Sequence, residues 1–272
     1  MLIGKLRERE ILAIEVTNRA KNLSDFSTKP NLDKPTEAYL LCVKADALRL
    51  ANFYQEAVGR YLNSILLERN NPDSLYGLGV CYKNLNKLDK AIEALEKSKK
   101  IRELDFNTCY ELGVCYLISG EICLAMKNLI TAIKLNPKNL NAQIQLAMAH
   151  EICEEEDMAL MIYEKITRTS PSYIKAYQHK AALLINLDRH YEASIVFNKI
   201  LKINPDYHRA YLGIGICFDK MGRNSDAIRF YKRFMEYKPN SHHVPEVKTR
   251  IEKLKKGCTS RSNTLKLVNY GR

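Results

Sequence analysis

The side chains of this chain that could do chemistry are its thiols, its histidines and its acidic runs. Eight cysteines and six histidines are spread over 272 residues. His150 and Cys153 are one helical turn apart, so they share a helix face and could supply two ligands to a metal ion. A structural zinc site needs four ligands, and no Cys-x-x-Cys pair or second cluster completes this one. His242 and His243 stand together at the start of a predicted helix, where a solvated turn is the expected role. The run Glu154–Glu155–Glu156–Asp157 offers carboxylates for acid–base work. It falls where a helix would open, and there negative charge suits the positive end of the helix dipole. There is no phosphate-cradling glycine loop, no His-Glu-x-x-His and no Gly-x-Ser-x-Gly elbow. The expectation is a chain that is not an enzyme and holds neither cofactor nor metal.

The elements that would have to position any site announce themselves far more clearly. Alanine recurs every 34 residues, at Ala57, Ala91, Ala125, Ala159, Ala193 and Ala227. Counted from nineteen residues before each alanine, units begin at Ala38, Pro72, Phe106, Leu140, Ile174 and His208. The eighth position of each unit is small: Ala45, Gly79, Gly113, Ala147, Ala181 and Gly215. Large side chains follow three residues after it and again four residues after the alanine, as at Tyr82 and Leu95 or Tyr116 and Leu129. Apolar residues within a unit recur at helical spacing, and Gly, Asn and Ser separate two halves. Each unit therefore reads as two antiparallel helices, and a constant period of this length predicts stacking of one supersecondary unit. Cys81, Cys115 and Cys217 sit two residues after the small position, which suits buried free thiols acting as compact apolar side chains.

This pattern resembles the tetratricopeptide repeat family over residues 38–241. Four units also carry the proline common there, at Pro137, Pro171, Pro205 and Pro239, whereas Arg69 and Glu103 stand at that place in the first two. The fourth position, often tryptophan in the family, reads Leu41, Leu75, Cys109, Gln143, Tyr177 and Tyr211, with Gln143 locally unusual. The resemblance implies an all-α, right-handed solenoid of six tandem helix-turn-helix units with terminal capping helices. It also implies a non-catalytic scaffold or adaptor that holds a peptide or a partner helix in a concave groove lined by the first helices. The Lys and Asn clamp with which chaperone-binding members grip a terminal carboxylate is missing. Cys42, Asp46, Tyr76, Val80, Tyr110 and Val114 stand at its positions instead. The residues the resemblance places toward a partner are Tyr76, Tyr110, Val114, Leu117, Ile144, Met148, Ile152 and Ile185, rimmed by Lys175 and Arg209, with Lys83 and Lys220 as further rim cations.

The ends differ from the middle. Residues 1–23 read as an N-terminal helix and 24–36 as a linker. Residues 244–257 read as a capping helix with Val244, Val247, Ile251 and Leu254 on one face, stopped by Gly257. Residues 258–272 read as a basic, disordered tail. The net charge of +12 divides as +1 over residues 1–37, +5 over 38–243 and +6 over 244–272. A basic tail attracts nucleic acid, acidic protein or anionic membrane without specificity. It supports an alternative reading, a targeting or regulatory module acting through the tail or the N-terminal helix, including an RNA-associated version. The 34-residue period disfavours a nucleic-acid partner. No apolar run is long enough to span a membrane and no hydrophobic leader precedes the repeats, so a cytoplasmic location is expected.

Overall fold

The computed structural model describes residues 33–268, with side chains described through residue 256. Among the described residues there are thirteen helices and no strand. They form two compact units, one ending at Cys153 and one beginning at Glu154. The first unit contains α1 (Lys34–Leu50), α2 (Tyr54–Leu67), α3 (Pro72–Asn84), α4 (Leu88–Ile101), α5 (Phe106–Ser119), α6 (Ile122–Leu135) and α7 (Leu140–Ile152). The second contains α8 (Glu156–Thr169), α9 (Ile174–Asn186), α10 (His190–Ile203), α11 (His208–Lys220), α12 (Asn224–Tyr237) and α13 (Val244–Val268). Within each unit every helix packs on the next along the chain. In the first unit α1, α3, α5 and α7 also touch in series.

The period of 34 returns in the backbone. A residue of positive φ follows the first helix of each hairpin, at Asn52, Asn86 and Gly120 in the first unit and at Asp188 and Gly222 in the second. Glu154, which opens the second unit, has the same conformation at φ 59°. Gly, Asn and Asp tolerate this left-handed region, whereas a longer side chain such as that of Glu154 costs about 1 kcal/mol there.

The small eighth position lets the two helices of a hairpin close. A Cβ added to Gly79 would lie 2.5 Å from Leu95 Cγ, and one added to Gly113 would lie 2.6 Å from Leu129 Cγ. The repeated alanines, including Ala91, Ala125 and Ala227, are completely buried. In the second unit a Cβ on Gly213 would strike the Phe197 ring at 2.4 Å, so the absent side chain seats that ring against α11.

Two of the joints between hairpins in the first unit are made by buried hydroxyls that composition alone did not reveal. Ser64 donates to the Ala38 carbonyl at 2.7 Å and shares a hydrogen bond of 2.8 Å with Ser74. One period later, Ser98 donates to the Pro72 carbonyl at 2.8 Å and meets Thr108 at 3.5 Å. At the third joint of the first unit the same positions are apolar, Ala132 with Ala142, as they are in the second, Ile166 with Ala176 and Ile200 with Ala210, and all six are buried.

Helix starts differ in the same way. Asn71, Asp105 and Asn139 cap α3, α5 and α7, each accepting from a backbone N–H three residues on, at 2.9, 2.7 and 2.9 Å. At the same place before α9 and α11 stand Tyr173 and Tyr207, which make no side-chain cap bond. Gln143 has a clear role: its amide donates to the Pro137 carbonyl at 2.7 Å, much as the Tyr211 hydroxyl donates to that of Pro205 at 3.1 Å. Both tie the proline turn to the helix that follows it.

At the C-terminal end Val244, Val247, Ile251 and Leu254 are buried in one cluster with Tyr211, Tyr231 and Phe234. Two boundaries differ from the sequence reading. Helix α1 takes Lys34, Pro35 and Thr36 from the linker read at 24–36, because a proline in a first turn gives up only an N–H that lacks a helical partner anyway. Helix α13 continues through Gly257 to Val268, since one glycine costs a helix only about 1 kcal/mol. The N-terminal helix read at 1–23 lies outside the described residues.

Candidate partner-binding site

The first helices of the two units offer different surfaces. In the first unit several of their charges are paired. Arg49 binds the Asp46 carboxylate at 2.8 Å, and the buried Tyr61 hydroxyl donates to the same oxygen at 2.6 Å. Lys83 pairs with Glu111 on the next first helix, and Arg102 pairs with Asp73 at 2.8 Å. Asp46, Arg49, Asp73, Tyr76, Arg102 and Asp105 line a small cavity of about 220 Å³. Tyr76 lies half-buried there beneath the Arg49 guanidinium, and burial pushes its hydroxyl pKa up to about 12.

In the second unit the first helices and the cap enclose a larger, basic groove. A cavity of about 520 Å³ is bounded by α9, α11 and the turn between α12 and α13. Ile185, Phe197, Leu212, Ile216 and Phe234 give it an apolar floor. Its charged or titratable lining is Arg209, Lys238, Tyr207, His208, His242 and His243, with no carboxylate. Leu212, Ile216 and His243 also border a neighbouring cavity of about 920 Å³ along α11 and α13, so the two form one trough. Lys220, Lys253 and Arg250 line this second part, along with the carboxylates of Asp219 and Glu246.

Asp219 is already committed. Arg250 grips it through two nitrogens, at 2.7 and 2.6 Å, and the Tyr231 hydroxyl donates at 3.1 Å. The guanidinium holds this carboxyl below its ordinary range even though burial pushes the other way. The contact also clamps the cap to α11. Arg209, Lys220 and Lys238, by contrast, have no ion-pair partner among the described residues. His208 registers the local field: burial lowers its pKa, and the nearby charges of Lys238 and Arg209 lower it further. It stacks on Tyr207, whose hydroxyl is hydrogen-bonded by the Gln178 amide. The tyrosine that replaces a capping residue therefore forms part of the trough wall.

The sequence-derived partner residues divide accordingly. Ile185 and Arg209 line the trough of the second unit, and Lys175 is exposed on α9 but does not line it. In the first unit Tyr76 reaches the small polar cavity, while Tyr110, Val114, Leu117 and Met148 are half-buried and Ile152 is 55% exposed. Tyr110 stacks on Phe106 at 5.9 Å between ring centroids. Ile144 must be corrected. It has 0% exposure and belongs to the core, because its place on α7 turns it inward with Ala142, Ala147 and Ala149. The reading of His242 and His243 as a purely solvated turn also changes, since both line the trough. The turn that presents them follows directly on Pro239, and their rings lie 3.8 Å apart.

Cys42, Cys81, Cys109, Cys115 and Cys217 are buried, and burial pushes the Cys81 thiol up to about 12, as befits a compact apolar side chain. Among the described residues no three potential metal ligands gather, and no helix is long and apolar enough to cross a membrane.

Comparison with known families and structures follows the same periodicity. Models of the tetratricopeptide repeat match residues 72–103, 106–139, 174–207 and 209–241. Curated proteins gave no match to the sequence. Among solved structures, the chain is similar to YrrB, described as a tetratricopeptide repeat protein with an unusual peptide-binding site. That similarity has 14% identity and a TM-score of 0.53, and covers 70% of this chain and 97% of YrrB. It is similar to MamA from Desulfovibrio magneticus at 23% identity and a TM-score of 0.58, over 63% of this chain and 97% of that one. It is similar to pilF of Pseudomonas aeruginosa at 13% identity and a TM-score of 0.64, over 80% and 99%. At these identities the likeness establishes the fold alone.

Proposed function

The chain belongs to the tetratricopeptide repeat family, and on that premise we propose that it is a non-catalytic scaffold holding a segment of a partner protein along its first helices, in the trough of the second unit. The fold class is an all-α solenoid of such repeats, and repeat arrays of this kind act generally in protein interaction. We read the array as six units between residues 38 and 241, in keeping with the six residues of positive φ at one spacing. The observation that carries the proposal is the trough itself, an apolar floor edged by four cations, Arg209, Lys220, Lys238 and Lys253, that have no ion pair among the described residues. Concave sites with apolar walls and a few convergent polar groups are where ligands bind. YrrB, with its peptide-binding site, lends support by analogy of fold.

Selection of ligands from a displayed peptide library against the full chain tests this. Selected peptides should lose binding to Ile216→Asp and keep binding to Leu66→Asp, a change at the most exposed large apolar residue of the second helices. An empty selection, or loss at Leu66→Asp alone, would overturn the trough as the binding surface. The alternative, a targeting or regulatory module acting through the basic tail, draws support from the charge of residues 244–272. It is favoured if ending the chain at Gly257 abolishes binding while Ile216→Asp does not.

A further inference from the structure

We infer that the trough of the second unit takes an acidic segment: a stretch of peptide in which one or two large apolar residues are flanked by Asp or Glu side chains. The inference rests on the scaffold reading above and names the chemistry of its partner. Two features of the trough require two features of the ligand. The floor formed by Ile185, Leu212, Ile216 and Phe234 is half-buried or buried apolar surface inside a cavity of about 520 Å³, room for an aromatic or branched aliphatic side chain. The edge carries Arg209 and Lys238 at one end and Lys220 and Lys253 at the other, with no ion pair to any of the four among the described residues.

Several cations of the first unit, and Lys180 on α9, are paired, so the four cations at the trough edge stand out by being gathered without acids paired to them. In the first unit Lys83, Arg49 and Arg102 all meet a carboxylate from the same or a neighbouring helix. Asp219, next to Lys220 in the chain, accepts its hydrogen bonds from Arg250 and Tyr231. Glu246 is the other carboxylate in the lining, against five lysines and arginines. Complementary charge of this kind speeds encounter and rejects cationic partners, while the apolar anchor supplies residence. The anionic groups are those of peptide side chains. A free carboxyl terminus is not required, because the cations sit along both ends of an open trough.

The test uses the full chain and four fluorescent peptides with acetylated and amidated ends. One carries a central Phe-Leu pair between runs of Glu and Asp. The second replaces the acids by Gln and Asn, the third replaces the Phe-Leu pair by Ser, and the fourth replaces the acids by Lys. The acidic Phe-Leu peptide should bind at least on the order of tenfold more tightly than each of the others. That preference should fall severalfold when Arg209→Glu and Lys238→Glu are combined, with an unchanged thermal midpoint because both side chains are exposed. Equal binding of the acidic and neutral Phe-Leu peptides would overturn the inference and leave the scaffold reading intact. No binding of any peptide would sink both. Preference for an oligouridylate RNA or for phosphatidylserine vesicles over the acidic peptide would assign the cations to another class of partner and also overturn it.

Discussion

The two units are built from one repeat and hold it together differently. In the first, polar groups do much of the joining: Ser64–Ser74 and Ser98–Thr108 cross two of the three hairpin boundaries, Asn71, Asp105 and Asn139 cap first helices, and Lys83, Arg49 and Arg102 meet carboxylates. In the second, Ile166, Ile200 and their alanine partners replace the hydroxyls, tyrosines stand at the capping positions, and Arg209, Lys220 and Lys238 are unpaired among the described residues. The difference teaches where partner contact is affordable. A surface whose polar groups satisfy one another has nothing left to offer a ligand, whereas one with an apolar floor and spare charge does.

The largest expected effect tests the element common to both units. Ala125 is completely buried beside Gly113, so Ala125→Glu would bury an unpaired carboxylate and cost about 3–5 kcal/mol. Chemical denaturation of the full chain should show this loss, and an unchanged midpoint would break the helical-hairpin account of both units.

A smaller loss, confined to the second unit, is expected from Asp219→Asn, which weakens the Arg250 and Tyr231 contacts that hold the cap. Arg250 is half exposed, so solvent screening limits the cost to about 1–2 kcal/mol. Because the folded pKa of Asp219 is depressed, its contribution is full above the ordinary carboxylate pKa. It disappears as pH falls through the lower folded value. The gap in stability between the wild type and Asp219→Asn, measured from pH 7 downward, should therefore narrow at the acidic end. A constant gap would mean the ion pair is not its source.

The capping contrast gives a finer test. Asp105→Ala should cost about 1 kcal/mol, whereas Tyr207→Ala should remove no cap and act instead on the trough wall. Equal destabilisation by the two, read from urea midpoints, would erase that distinction. The smallest effect is a gain. Glu154→Gly relieves a left-handed conformation and should raise stability by about 0.5–1 kcal/mol, and a loss would mean the glutamate side chain does more than fill a turn.

Periodicity made the fold legible, because alanines at one spacing and small residues twelve before them dictate close helix pairs wherever they occur. The joints were not legible. Ser64 and Ser98 look like surface serines until α3 and α5 bring Ser74 and Thr108 against them. The candidate site was legible in part: Arg209 and Ile185 follow from repeat position alone, and both line the trough. Ile144 occupies the same kind of position yet is buried, since position on a helix does not reveal what covers it. Lys238 was not singled out, and His242 and His243 were read as a solvated turn, because they belong to the turn after the last hairpin, which the repeat pattern does not describe. The available signal was Tyr207 at a capping position where the first unit has Asn or Asp.

Hydrogen–deuterium exchange of the full chain, with and without a display-selected peptide, tests the central claim most directly. The account predicts new protection in α9, in α11 and in the turn leading into α13, with α1, α3 and α5 unchanged. Protection confined to α1, α3 and α5, or to neither set of helices while the peptide is bound, would contradict it.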